Sequence, residues 1–160
     1  MPADAAEIVS LGDLSDAIAL ATQAHRGQVD KGGQPYILHP LRVMLACQTE
    51  EQRVVAVLHD VVEDTGYTVS DIASEFGAKV ANAIDALTRR RGEDYEAFID
   101  RCAANPLSAF VKLADIGDNM DVSRLGREPN AADRTRLLKY GRARTLLVRA
   151  RAAQHDHEVG

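Results

Sequence analysis

The chain has no tryptophan, three phenylalanines and four tyrosines among its 160 residues. So thin an aromatic supply leaves little for the stacking platforms that hold single-stranded nucleic acid. Basic residues are not in excess either: 19 Lys and Arg stand against 24 Asp and Glu, for a net charge of −5. A general nucleic-acid or membrane-surface binder would show the opposite balance, so no nucleic-acid partner is expected. No apolar run approaches the roughly 20 residues of a spanning helix, so no membrane partner is expected. The two cysteines, Cys47 and Cys102, lie far apart with no CxxC spacing. They read as small core residues of a reducing, cytoplasmic compartment. The start, Met1-Pro2-Ala3-Asp4-Ala5-Ala6-Glu7, lacks a basic segment followed by an apolar one, and no signal peptide is expected. Hairpin signals, period-2 alternation, internal repeats and low-complexity linkers are missing too.

What is present is helical spacing. Leu14, Ala17, Ile18, Ala21 and Ala24 open the series, and a loop over 27–36 with three glycines and a proline closes that first helix. A second helix starts near Pro40, which suits the first helical position and makes His39 a helix-entry residue. A third is predicted to run without interruption from about Glu50 to Glu63. Thr68-Val69-Ser70-Asp71 resembles a capping box for a short helix to Phe76, and Gly77 separates it from a longer one through Leu87. A helix through Tyr95, Phe98 and Cys102 stops at Asn105-Pro106, and an apolar segment follows from Leu107 to about Leu125. The last helix runs from an Asn130 cap through Leu137 and Leu147 to about Val148, with His155-Asp156-His157 in a frayed tail. With 46% hydrophobic residues, the chain is expected to be all-α, one domain over 1–160 with seven to eight helices. Its core is placed at about 14–148, and both termini are expected to fray.

Within this pattern some residues are out of place. Val54-Val55-Ala56-Val57-Leu58 reads as a buried helix, yet His59, Asp60, Glu63 and Asp64 follow directly. Carboxylates are rarely buried unless paired or bound to a metal. His59 and Glu63 are four residues apart, as are Asp60 and Asp64, so each pair is expected to stack on one helix face, one turn apart. Asp115 interrupts a second apolar run, Phe110 to Ala114, and His39 sits at the entry of a third helix. Two imidazoles and two carboxylates (His39, His59, Asp60, Asp115) suit a borderline divalent ion better than Ca²⁺, and the oxygen-rich set leans toward Mn²⁺. Asn119, four residues after Asp115, is expected to project toward the same cavity. Each residue alone has a blander reading: a buried histidine bonded to a carbonyl, Asp115 paired with Lys112, Glu63-Asp64 as a solvated helix end. Together those readings require several independent coincidences. His25 has no partner pattern and reads as structural.

The set His39, His59-Asp60 and Asp115 resembles the H…HD…D signature of the HD phosphohydrolase superfamily. Four longer words narrow the resemblance: Ala24-His25-Arg26-Gly27-Gln28, Pro35-Tyr36-Ile37-Leu38-His39-Pro40, Leu58 to Thr65, and Val111 to Met120. In order, they are similar to the hydrolase domain of the RelA/SpoT alarmone enzymes in its stand-alone form. That resemblance implies a Mn²⁺-dependent hydrolase whose partner is a small-molecule nucleotide. It would remove 3′-pyrophosphate from guanosine tetra- or pentaphosphate, giving a nucleoside 5′-di- or triphosphate and pyrophosphate. It further implies that His39, His59, Asp60 and Asp115 bind the metal and that Glu63 and Asp64 position or activate the attacking water. Asn119 and Lys31 would face the nucleotide, Arg26 would help offset its charge, and Tyr140 would close the pocket. Two positions depart from the family pattern. Asp30 stands where an arginine commonly stacks on guanine, and Val122 where a threonine often contacts the ribose side. An aspartate at 30 can instead accept hydrogen bonds from base amino groups. Both departures fall on nucleoside recognition, which keeps adenosine alarmones or another 3′-phosphorylated nucleotide as alternatives. A non-catalytic nucleotide-binding module is the alternative of another class, disfavoured by the retained Glu63-Asp64 pair.

Overall fold

The structure, a computed structural model, describes residues 11–158. Among them are eight α-helices and no strand: α1 (Leu14–Ala24), α2 (Leu38–Leu45), α3 (Glu50–Leu58), α4 (Val61–Asp64), α5 (Val69–Leu87), α6 (Tyr95–Ala104), α7 (Pro106–Met120) and α8 (Ala131–Glu158). A 3-10 turn, Val122–Leu125, follows α7.

Local chemistry fixes most of the starts. Asp13 with Asp16, Thr49 with Gln52 and Thr68 with Asp71 form reciprocal capping boxes on α1, α3 and α5. Each satisfies backbone N–H groups that a helix start leaves unpaired, and losing such a cap costs about 0.5–2 kcal/mol. Asn105 caps α7 through its side-chain oxygen, with Pro106 at the first position. Gly77, at φ +85° and ψ 166°, kinks α5 into the two segments its sequence predicts.

α3 is the central element. Its Val54, Val55, Ala56, Val57 and Leu58 are all buried, because α1, α2, α5 and α7 surround it. Truncating a side chain such as Leu58 to alanine costs about 2–5 kcal/mol at such a position. α8 lies outside, against α6 and α7, and seats Ala143 and Leu147 in the core. Cys47 and Cys102 are buried and unpaired.

Four boundaries differ from expectation. The helix predicted over 50–63 breaks at His59-Asp60, where Asp60 takes φ −100° and ψ −3°. The His59 N–H reaches back only to the Ala56 carbonyl, at 3.5 Å, and the His59 ring Nδ1 takes that same carbonyl at 2.7 Å. α2 begins at Leu38, so Pro40 is its third residue rather than its first. This is tolerated because the first-turn N–H groups have no helical partner. α7 stops at Met120 rather than near Leu125, since Asp121 is extended and caps the 3-10 turn. The expected frayed tail at 155–157 is helical: α8 continues to Glu158, held partly by Gln154 donating to the Ala103 carbonyl at 2.9 Å and by Arg151 over the Phe110 ring. The fraying expected of the N-terminus falls outside the described residues.

Candidate metal centre and cleft

The break after α3 places His59 and Asp60 at the end of a buried helix instead of inside one. His39 comes from the first turn of α2 and Asp115 from the middle of α7. Their atoms converge. His59 Nε2 lies 3.0 Å from Asp60 Oδ2 and 3.6 Å from Asp115 Oδ1. His39 Nε2 lies 3.1 Å from Asp115 Oδ1 and 3.6 Å from Asp60 Oδ2. Donors bound to one transition-metal ion at about 2.1–2.2 Å stand roughly 3 to 3.6 Å apart. The nitrogen-to-oxygen spacings match that range; His39, His59 and Asp115 have donor atoms all within 4.8 Å of one another, and Asp60 joins them through the two imidazoles.

The nitrogen chemistry fits a cation as well. The Nδ1 of His59 is occupied by the Ala56 carbonyl and that of His39 by Asp118 Oδ2 at 2.7 Å, so each ring presents Nε2 to the cluster. His59 Nε2 is buried and, although Asp60 Oδ2 lies 3.0 Å away, makes no well-directed hydrogen bond, an arrangement that is costly unless something else occupies its lone pair. The residues present therefore fit a divalent ion.

Electrostatics point the same way. Burial opposes charge on the His39 ring, but Asp115 and Asp118 outweigh it and raise its pKa. For His59 burial is again opposed, here by the charges of Asp60 and Asp115, and the ring is held well above the usual imidazole value. Asp115 is buried, which by itself would raise its carboxyl. Lys112 Nζ at 2.8 Å and the two imidazoles pull it well below the carboxylate range. This is a site that demands positive charge, whether from protons or from an ion.

Above the cluster opens a cleft of about 420 Å³. Glu63, Asp64, Asp30, Lys31, Asn119 and Tyr140 line it together with His39, Asp60 and Asp115. Arg26 is exposed and lies outside that lining. Glu63 and Asp64 stand on α4, just past the break. Burial, then the neighbouring acids, raises both carboxyls above their ordinary values, while the Arg89 N–H partly offsets this for Glu63. Asn119 Nδ2 donates to Asp115 Oδ1 at 2.6 Å. A larger groove, about 990 Å³, runs along α1 and the start of α5, but it holds no imidazole and none of the converging donors.

Asp30 is turned differently from its expected role. Its Oδ1 accepts the Gly32 and Gln34 N–H groups at 2.8 and 2.9 Å, so the carboxylate shapes its own loop. A bridge between Val29 and Pro35 closes that loop at its base. His25, read as structural, is buried with Nδ1 against Gln28 Oε1 at 2.8 Å, and Gln28 in turn donates to the Asp64 carbonyl.

Several neighbours carry no sequence signal of their own. Tyr36 donates its hydroxyl to Asp60 Oδ2 at 2.5 Å, and burial followed by that acidic contact raises its pKa strongly. Asp118 holds His39, and Arg42, Arg124 and Arg136 line the cleft. Tyr36 and Asp118 lie inside motif words, which was the available hint. The arginines had none.

The family profile described as HD domain matches residues 17–106. A probable GTP pyrophosphokinase of Mycobacterium leprae is 35% identical over 128 residues, covering 72% of this chain and 16% of that protein. A guanosine-3′,5′-bis(diphosphate) 3′-pyrophosphohydrolase of Aquifex aeolicus is 32% identical over 128 residues, covering 72% of this chain and 18% of that one. The chain thus spans about a sixth of the length of these curated relatives. A solved structure of a metazoan ortholog of SpoT, which hydrolyses ppGpp, superposes with a TM-score of 0.70 at 23% identity over 85% of both chains, a likeness of fold.

Proposed function

The chain belongs to the HD-domain family, and from that premise we propose that it is a metal-dependent hydrolase of guanosine tetra- and pentaphosphate-type alarmones. It would release the 3′-pyrophosphate and leave a nucleoside 5′-di- or triphosphate. The observation that carries this reading is the approach of two imidazole nitrogens to two carboxylate oxygens, at N···O distances of 3.0–3.6 Å, under a cleft rimmed by Glu63 and Asp64. The names of relatives such as the Aquifex pyrophosphohydrolase supply the substrate class. We read residues 1–160 as one HD hydrolase domain in a cytoplasmic setting, which suits two buried, unpaired cysteines.

His39, His59, Asp60 and Asp115 would hold the ion, with Mn²⁺ preferred for this mixed nitrogen and oxygen set. When bound, such an ion supplies Lewis-acid charge to a phosphoryl group and makes water more acidic. The chain's own residues do the rest. Glu63 and Asp64 orient the attacking water and take its proton, a role helped by carboxyls more basic than usual. Lys31 at the cleft, and Arg26 beyond its rim, offset the substrate's charge. Asn119 and Tyr140 contact the nucleotide from α7 and α8. The loop that Asp30 organises faces the nucleoside, and adenosine alarmones are the second substrate to test.

The deciding experiment incubates Mn²⁺-loaded protein with guanosine 3′,5′-bis(diphosphate) and its adenosine counterpart and resolves the products by chromatography. Pyrophosphate with GDP is the expected outcome. Release of single phosphates, or no reaction with either nucleotide, would overturn the assignment.

A further inference from the structure

Asp118 lies three residues past the ligand Asp115 and meets the cluster only through the Nδ1 side of His39; it borders the cleft but is nearly closed off from solvent, with its side chain 10% exposed. Its two oxygens meet three cationic or donor groups. His39 Nδ1 lies 2.7 Å from Oδ2. Arg42 approaches in a fork, Nε to Oδ1 at 2.7 Å and Nη2 to Oδ2 at 3.1 Å. Arg124 Nη2 adds a contact to Oδ2 at 3.2 Å and a bond to the Asp118 carbonyl at 2.7 Å. Burial alone would push this carboxyl up. The bonds to His39 and Arg42 instead hold it well below the usual range.

The two imidazoles are thus supported in different ways. His59 is fixed by a carbonyl of its own helix, which the fold supplies without further help. His39 depends on a carboxylate from another helix, 79 residues along the chain. That carboxylate is kept in place by arginines from two further positions: Arg42 stands one turn after His39 on α2, and Arg124 stands on the 3-10 turn. The carbonyl of Arg124 also packs against the glycine loop, where a Cβ on Gly32 would sit 3.3 Å from it. A ring with a carboxylate on one nitrogen is turned to present the other, and such partners tune a ligand's basicity and orientation.

We propose that Asp118 is a positioning residue of the metal centre, fixing the His39 ring with Nε2 toward the cluster, and that Arg42 and Arg124 clamp it there. The inference rests on the reading of the cluster as a metal site. Removing the charge while keeping the shape, Asp118→Asn, should loosen the ring and weaken metal binding, because the amide cannot satisfy both arginines and the imidazole.

The test is Co²⁺ binding to the full chain, followed by calorimetry and by the visible absorption of the bound ion, with far-UV circular dichroism on every variant. Asp118→Asn is expected to bind Co²⁺ about 10- to 100-fold more weakly and with an altered spectrum. Arg124→Met, on the turn outside the helices, is expected to show a smaller loss that vanishes in the Asp118→Asn background. If Asp118→Asn does not fold, Arg124→Met alone carries the test: an unchanged affinity and spectrum would overturn the clamp. Wild-type affinity and spectrum in a folded Asp118→Asn would overturn the proposal while leaving the metal site standing. A wild-type chain that binds no Co²⁺ would remove the metal reading itself, and this inference with it.

Discussion

Glu63 accepts the backbone N–H of Arg89 through Oε1 at 2.6 Å, tying the rim of the cleft to the loop after α5. One oxygen of the carboxylate is therefore structural, and the other is left for chemistry. Glu63→Gln retains an oxygen that can accept from Arg89 but loses the ability to take a proton. Turnover is expected to fall about 10²- to 10⁴-fold, with nucleotide binding and melting temperature close to wild type. Rates of pyrophosphate release set beside equilibrium binding check this; an unchanged kcat would remove Glu63 from the water-activating role.

Burial is the main cause that raises the Glu63 and Asp64 carboxyls, and it persists with an ion in place; the charge of Asp60 adds to it only while no ion offsets that charge. A raised group protonates earlier as pH falls, and a protonated carboxyl cannot accept the proton of water. The acid limb of kcat should therefore lie above the ordinary carboxylate range, and it should become less steep in Glu63→Gln, where Asp64 alone titrates. A limb at the ordinary value in wild type would count against this assignment. The profile is best recorded at saturating metal, so that loss of the ion at low pH does not mimic the effect.

Gly77 occupies φ +85° and ψ 166°, a region essentially reserved for glycine, and a Cβ there would come within 3.0 Å of Leu11. Gly77→Ala is expected to cost about 1–3 kcal/mol. Thermal unfolding measures it, and an unchanged melting temperature would mean that α5 straightens at no cost.

Because Asp30 Oδ1 takes two N–H groups of its own loop, Asp30→Ala should raise KM for the nucleotide roughly 5-fold through loss of about 1 kcal/mol of loop order, with less effect on kcat. Asp30→Asn keeps an accepting oxygen and should stay near wild type. Equal defects in the two variants would show instead that the charge itself meets the substrate.

How much of this was legible beforehand depended on contrast. His59, Asp60 and Asp115 stand out because they interrupt apolar runs, and the structure brings them together with His39 from another helix. The break at His59-Asp60 was not legible, since no glycine or proline marks it and the contact that accompanies it, a ring nitrogen on the Ala56 carbonyl, has no sequence signature. The helical end of α8 was hidden for another reason: residues 151–158 have no apolar periodicity, and contacts from Gln154 and Arg151 to α6 and α7 help hold them. Asp118 sits among other polar residues, and its partner His39 is distant in sequence. Asp30 was legible as a departure, but only the loop's own N–H groups reveal what its carboxylate does.

The convergence of α2, α3 and α7 on four ligand atoms has a mechanical consequence. Both cysteines are unpaired, so no covalent bond joins distant parts of this fold. An ion held at once by His39, His59, Asp60 and Asp115 would be its nearest equivalent of a cross-link. It would span residues as far apart as 39 and 115 and strengthen the native state in proportion to its occupancy. Chelation should then soften the bundle as well as silence it, and the melting temperature should follow the concentration of free metal.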